Sequence, residues 1–173
     1  EYLFELYEVP RAESYKLLEY VSIATICDVV DLLDENRIIV KYGLELINST
    51  ENIGLKALVS ELDIKKRINS YHIGFIIGPT LNATGRLDTA YLAVDLLMEK
   101  DSTKAVPIAR KLKELNDRRK KITENGVTLV VDKIENTDII NDKVLIIYEP
   151  EVHESVAGIV AGRVKELYNR PAI

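Results

Sequence analysis

The chain has 173 residues, 47% of them hydrophobic and 29% charged, with 28 acidic against 23 basic side chains and a net charge of −5; this is the composition of a globular protein, one ordinary domain or two small ones, and excludes a disordered chain. No apolar run approaches the roughly 20 residues of a membrane span, no signal peptide is visible, and a lone cysteine, Cys27, excludes an internal disulfide and fits a reducing cytoplasm, where it reads as a small core residue. The negative balance argues against wholesale phosphate binding but leaves room for a local basic groove.

In chain order, Leu17, Leu18, Val21, Ile23, Ala24 and Ile26 recur at helical spacing and predict a helix over about residues 11–30 that runs up to Asp28. A carboxylate after a buried-looking turn needs a cation, a donor or a metal; from spacing alone, a surface aspartate at a helix end is the simpler reading. A second helix opens at Glu35, with Ile38, Val40, Leu44, Leu46 and Ile47 inside, and a short third covers about residues 54–62. Ser70 is the expected N-cap of a helix through Ile77 that delivers the chain to Pro79, and His72, with no second histidine near, reads as a partly buried hydrogen-bonding residue.

The stretch from Pro79 to Leu87 interrupts two apolar helical neighbours. Pro79 limits how the preceding helix continues, Gly85 permits an unusual backbone path, and Asn82 and Arg86 bring a forked amide and a forked cation to the bend. That combination suits an oxyanion site; an ordinary turn with a solvated arginine is the alternative. Asp88 and Thr89 look like the start of a helix over Tyr91 to Met98. A much longer helix is expected from about Ser102 to Glu135, apolar at Ile108, Leu112, Leu115 and Ile122 and crowded with cations at Arg110, Lys111, Lys113 and Arg118 to Lys121. Polar on most of its circumference, it suits a connection between two domains. Its basic cluster is either a nucleic-acid contact or a solvated face.

After Asn141 and Asp142 the period changes: residues 143–149 form a compact, β-branched apolar run ended by Pro150, which predicts a buried strand. With Ser155 as cap, a helix over Val156 to Tyr168 and an extended segment from Arg170, this reads as a βαβ unit beginning beyond a boundary near residues 135–142. Gly158 and Gly162, four apart, leave a strip without side chains on one helix face. Each mid-helix glycine costs about 1 kcal/mol relative to alanine, so the pair implies close packing on a strand or backbone contact with a ligand. His153 before the helix, N–H groups at its first turn and Arg163 beyond would make a phosphate cradle.

Three segments, Ala24 to Leu32, Pro79 to Leu87 and His153 to Arg163 with Arg170-Pro171-Ala172, resemble in order and spacing the single-stranded-DNA exonucleases of the DHH phosphoesterase superfamily. The resemblance implies an α/β fold: residues 1–100 as the mostly helical C-terminal part of a DHH domain, 101–140 as a connecting helix, and 141–173 as the beginning of a DHH-associated substrate-binding domain. It implies Asp28 as a metal ligand of a Mn²⁺ or Mg²⁺ centre, Asp28 and Arg86 as catalytic residues, and Asn82, Gly85, Arg86, His153, Gly162 and Arg163 as contacts to phosphate. It further implies 5′→3′ hydrolysis of single-stranded DNA in cytoplasmic repair and recombination, with a single-strand-binding protein or a helicase as candidate partners and no membrane.

The departures are Thr80, where the family commonly has arginine, Ser155 in place of the glycine of its His-x-Gly, and Gly162, where it commonly has serine. The aspartate-rich motifs and the Asp-His-His triplet are not in the sequence, which begins at Glu1 and ends on an apolar segment. An internal fragment, inactive alone, is therefore expected. The alternatives are a DHH-type phosphodiesterase acting on short oligonucleotides or cyclic dinucleotides, and a non-catalytic nucleic-acid-binding module.

Overall fold

The structure, a computed structural model, describes residues 5–87 and 89–173, with Arg11 and Arg86 followed in their backbone only. Asp88, an expected helix start, lies outside the described residues. The chain divides into two compact units: residues 1–82 with 91–113, and residues 83–90 with 114–173.

The first unit is built from helices α1 (Arg11–Lys16), α2 (Leu18–Cys27), α3 (Asp34–Asn48) and α4 (Ile53–Glu61), then α5 (Ser70–His72), a π-helical turn (Ile73–Ile77) and α6 (Gly78–Asn82), then α8 (Tyr91–Met98) and the start of a long helix. Its core joins Ile23, Ile47, Leu55, Leu58, Ile73, Ile77, Leu96 and Leu112. Two glycines let helices touch at the backbone. A Cβ on Gly54 would stand 1.8 Å from the carbonyl oxygen of Leu96, and one on Gly43 would stand 2.3 Å from Cβ of Ser22. Asn52 fixes the same α4–α8 contact: its side chain accepts from the Leu55 N–H at 2.7 Å, capping α4, and donates to the Leu97 carbonyl at 2.7 Å.

Two expectations about the middle of the chain need correction. The N-cap of α5 is Asn69, not Ser70: Asn69 Oδ1 accepts from the His72 N–H and His72 Nδ1 accepts from the Asn69 N–H, both at 3.2 Å. A reciprocal pair satisfies two orphan donors where the serine would satisfy one, and it makes His72 the half-buried hydrogen-bonding residue expected. Nor does Pro79 interrupt the helix. The ladder has already widened, with the Gly78 N–H donating to the Ile73 carbonyl five residues back, so the proline, which has no N–H to contribute, enters where the α-helical register is broken. Thr80, fully buried, returns its hydroxyl to the Ile76 carbonyl at 2.7 Å.

The long helix α9 (Ser102–Glu135) has the bounds its periodicity predicts; Asp101 Oδ1 caps it by accepting from the Thr103 N–H at 2.8 Å. Its second half belongs to the other unit, with α7 (Thr84–Leu87), a 3₁₀ turn (Asp138–Asn141) and α10 (Glu154–Tyr168). Val130, Ile134, Leu145, Val156, Val160 and Val164 form this core. Gly126, the one glycine of α9, lies where a Cβ would be 3.1 Å from Val160, so it admits the valine face of α10.

The chain is mostly helical, and the buried strand expected over residues 143–149 does not form among the described residues. What forms is an isolated parallel bridge between Leu145 and Ala172. Leu145 N–H donates to the Pro171 carbonyl at 2.8 Å, Ile173 N–H to the Leu145 carbonyl at 2.9 Å, and Ile147 N–H to the Ile173 carbonyl at 2.9 Å. Leu145 is buried, but Ile146 and Tyr148 are 67% and 81% exposed. A continuous apolar run is buried only when neighbouring strands and both faces of a sheet cover it; here a single pairing covers one side.

Candidate metal and phosphate site

In the first unit, Asp28 is the exposed C-cap residue of α2, its N–H donating to the Ala24 carbonyl at 2.9 Å. Val29, next in the chain, adopts φ 56 and is 88% exposed. A β-branched residue in the left-handed region is strained by about 1–2 kcal/mol, and such strain gathers at functional sites. The residue before Asp28 faces α6: a Cβ on Gly78 would lie 2.2 Å from Cys27 Sγ. Cys27 is exposed as a residue, unlike the core residue expected, yet its sulfur is held against that glycine. Burial, and secondarily the Asp28 carboxylate, push the Cys27 thiol above its ordinary range, so it is a poor nucleophile. Through this contact α2, which ends at Asp28, packs on α6, which ends at the exposed Asn82.

Asp28 offers the hard oxygen donor that Mg²⁺ or Mn²⁺ prefers. Among the described residues, however, no three His, Cys, Asp or Glu side chains gather to hold a metal ion, and one carboxylate does not hold a two-metal centre.

In the second unit, α7, which carries Gly85 and Arg86, packs against α10, which carries Gly162 and Arg163. Gly85 is exposed, and the Arg86 side chain lies outside the described residues. The N-cap of α10 is His153 rather than Ser155: His153 Nδ1 accepts from the Ser155 N–H at 3.2 Å and lies 2.8 Å from Ser155 Oγ. The Val156 N–H donates to the His153 carbonyl at 3.0 Å. Two of the N–H groups expected to await a phosphate are thus engaged by His153, that of Ser155 by its ring nitrogen and that of Val156 by its backbone carbonyl.

The glycine strip differs from its simpler reading. Val156, Val160 and Val164 are the buried face of α10, and Gly158 and Gly162 are on the other side, where a Cβ added at either would meet nothing within 4 Å. No strand presses on them among the described residues. What remains is bare helix backbone next to Arg163, which is exposed and has no ion pair among the described residues. A guanidinium beside an unobstructed backbone suits an anion that approaches closely.

No family model matches the sequence. The chain is 38% identical over 163 residues to the single-stranded-DNA-specific exonuclease RecJ of Haemophilus influenzae, covering 91% of this chain and 28% of that protein. It is 36% identical over 160 residues to RecJ of Bacillus subtilis, covering 91% and 20%. A crystal structure of RecJ from Thermus thermophilus in complex with Mg²⁺ superposes with a TM-score of 0.86 at 29% identity, over 98% of this chain and 26% of that one. The chain is thus similar to one part of RecJ. It spans about a quarter of the length of the RecJ relatives it matches. An exonuclease RecJ bound to manganese is likewise similar, with a TM-score of 0.82 and 30% identity over 98% of this chain. The RecJ likeness thus agrees with the resemblance carried by the three segments.

Some of what matters in this chain leaves no mark on a motif. The Cys27–Gly78 contact joins residues of different helices, and its only sequence signal is a glycine preceding Pro79 inside an apolar run.

Proposed function

We propose that the chain contributes to a metal-dependent exonuclease that hydrolyses phosphodiester bonds of single-stranded DNA in the 5′→3′ direction, in DNA repair and recombination. The observation that carries this reading is the unobstructed Gly158–Gly162 face beside Arg163, on the helix against which the Gly85–Arg86 turn packs. In this reading Arg163 and Arg86 neutralise strand phosphates, Gly162 lets the phosphate approach the backbone, His153 holds the first turn of α10 in place, and Asn82 orients a phosphate oxygen. Asp28 serves as one ligand of a Mn²⁺ or Mg²⁺ centre whose other ligands come from polypeptide outside these 173 residues. Metal ions bound there would polarise the phosphoryl group and activate the attacking water. The paired segments at Leu145 and Ala172 are read as the first contact of a parallel sheet belonging to a substrate-binding domain, residues 141–173 being its beginning and α9 the connection to the DHH part.

On this reading the 173 residues alone are inactive. The test is release of nucleotides from 5′-phosphorylated single strands with Mn²⁺. No release by this chain is expected, with release by a polypeptide that includes the RecJ regions beyond the aligned part and loss of that release in its Asp28→Ala variant. Robust hydrolysis by the chain alone refutes the inactivity, and full activity of Asp28→Ala refutes the ligand role.

A further inference from the structure

A cation-bearing cavity lies in the first unit, and none of its residues belongs to the three segments that carry the RecJ resemblance. It is an open cavity of ≈ 540 Å³ walled by the end of α3, the outer face of α4 and the loop between α4 and α5. Its polar lining is Asn48, Ser49, Thr50, Lys56, Ser60 and Lys66, with no carboxylate among the lining residues. Lys56 and Ser60 are one helical turn apart on α4, so their side chains share a face.

The loop that supplies Lys66 is fixed at both ends. At its start Asp63 takes φ 53 and the Ile64 N–H donates back to the Val59 carbonyl at 3.2 Å, closing the end of α4. At its end the Asn48 side chain clamps Ile68, accepting from its N–H at 2.8 Å and donating to its carbonyl at 2.9 Å. The charges within this frame are unequally matched. Lys65 pairs with Asp63 at 3.2 Å, pointing its charge at its own loop, whereas Lys56 and Lys66 have no carboxylate partner among the described residues. The carbonyls at the end of α3, which would repel an anion, are occupied: Leu44 by Asn48 Nδ2 at 2.7 Å, Leu46 by the Ser49 N–H at 3.0 Å and Ile47 by the Thr50 N–H at 3.3 Å. Two unpaired ammonium groups and a serine hydroxyl thus face one cavity whose neighbouring acceptors are already engaged.

We infer that this cavity binds a phosphate group through Lys56, Lys66 and Ser60, independently of the site on α10. Lysine suits the task because an ammonium on a flexible stem meets a phosphate as a point charge and needs no planar partner. The phosphate is supplied either by the backbone of a nucleic-acid strand or by a free mononucleotide.

The test is a titration of the ¹⁵N-labelled chain with inorganic phosphate against chloride at equal ionic strength, followed by backbone amide shifts. Saturable movement of the Ser49, Thr50 and Ser60 amides with phosphate and not with chloride is expected, with affinity falling at least tenfold in Lys56→Gln/Lys66→Gln. The control Lys104→Gln/Lys143→Gln removes the same charge from exposed positions outside the cavity and outside the basic cluster of α9 and should keep wild-type affinity. A (dT)12 strand without terminal phosphates identifies the source. If it moves the same amides and phosphate displaces it, the strand backbone is the ligand; if only phosphate and thymidine monophosphate move them, a free phosphate is. Absence of phosphate-specific shifts in the wild-type chain, or equal weakening by both double variants, overturns the inference. Both results stand apart from the exonuclease assay, which reads Asp28.

Discussion

The glycines of α3 and α4 and the glycines of α10 look alike in the sequence and do opposite things. Gly43 and Gly54 are buried, and a Cβ on either would collide with Ser22 or with the Leu96 backbone. Gly158 and Gly162 face open space, where a Cβ would meet nothing within 4 Å. The first pair lets two helices of one unit approach until backbone meets backbone. The second pair weakens its own helix and gains no contact within the described residues in return; on the proposed function its gain comes from a phosphate that binds there. A glycine that packs and a glycine that waits are separated by what stands opposite, and substitution reads the difference directly.

The largest effect is expected at Gly54→Ala. Overpacking of a core typically costs 1–3 kcal/mol, and occasionally more, and a methyl placed 1.8 Å from a carbonyl oxygen belongs at the upper end. The chain should lose about 3 kcal/mol or fail to fold, as read by thermal melting followed by circular dichroism; a melt like that of the wild type would show that α4 and α8 do not meet as described. Next comes Arg163→Ala, with an expected loss of about tenfold in affinity for a 5′-phosphorylated single strand, the scale of one charge-assisted contact. Because one phosphate contact disappears, the slope of log affinity against log salt should fall by about 0.7, so the loss is greatest at low salt. An unchanged slope removes Arg163 from the phosphate site.

Smaller still is the stability change on the open side. Gly158→Ala and Gly162→Ala should each raise helix stability by up to about 1 kcal/mol, seen as a higher melting temperature, where the same substitution at Gly54 lowers it. The smallest effect concerns Cys27. Its thiol is pushed up by burial against Gly78 and then by Asp28, so less thiolate is present at any pH below the raised value than for a free cysteine. Alkylation by iodoacetamide at pH 8 should be slower than that of a cysteine peptide, and the gap should close as pH rises through the shifted value. A rate equal to that of the peptide at pH 8 would contradict the contact.

Where an element is governed by its own sequence, the sequence was enough to find it. The long helix α9 has its expected bounds because Leu112, Leu115 and Ile122 keep helical intervals and Asp101 caps the start. Elements governed by distant partners were not legible. Pro79 reads locally as a helix breaker; the widened turn that accommodates it ends at Gly78, which seats against Cys27, some fifty residues away in the chain. Residues 143–149 carry the pattern of a buried strand, and the pairing at Leu145 and Ala172 leaves Ile146 and Tyr148 outside. At the candidate site, the residue types of a phosphate cradle were readable around Gly158, but the cap on α10 was not, since Ser155 and His153 are both competent and only the geometry of the ring chooses between them. The cavity beside α4 left no motif, because its frame depends on Asn48 reaching Ile68 across twenty residues.

On the proposed function the open face of α10 is kept bare for a ligand, and Gly162→Ala tests this most directly when stability and strand binding are measured on the same sample. The melting temperature should rise while affinity for a 5′-phosphorylated single strand falls severalfold, the methyl standing where the phosphate must come. A gain in stability with affinity unchanged would mean that nothing approaches that backbone, and would contradict the claim.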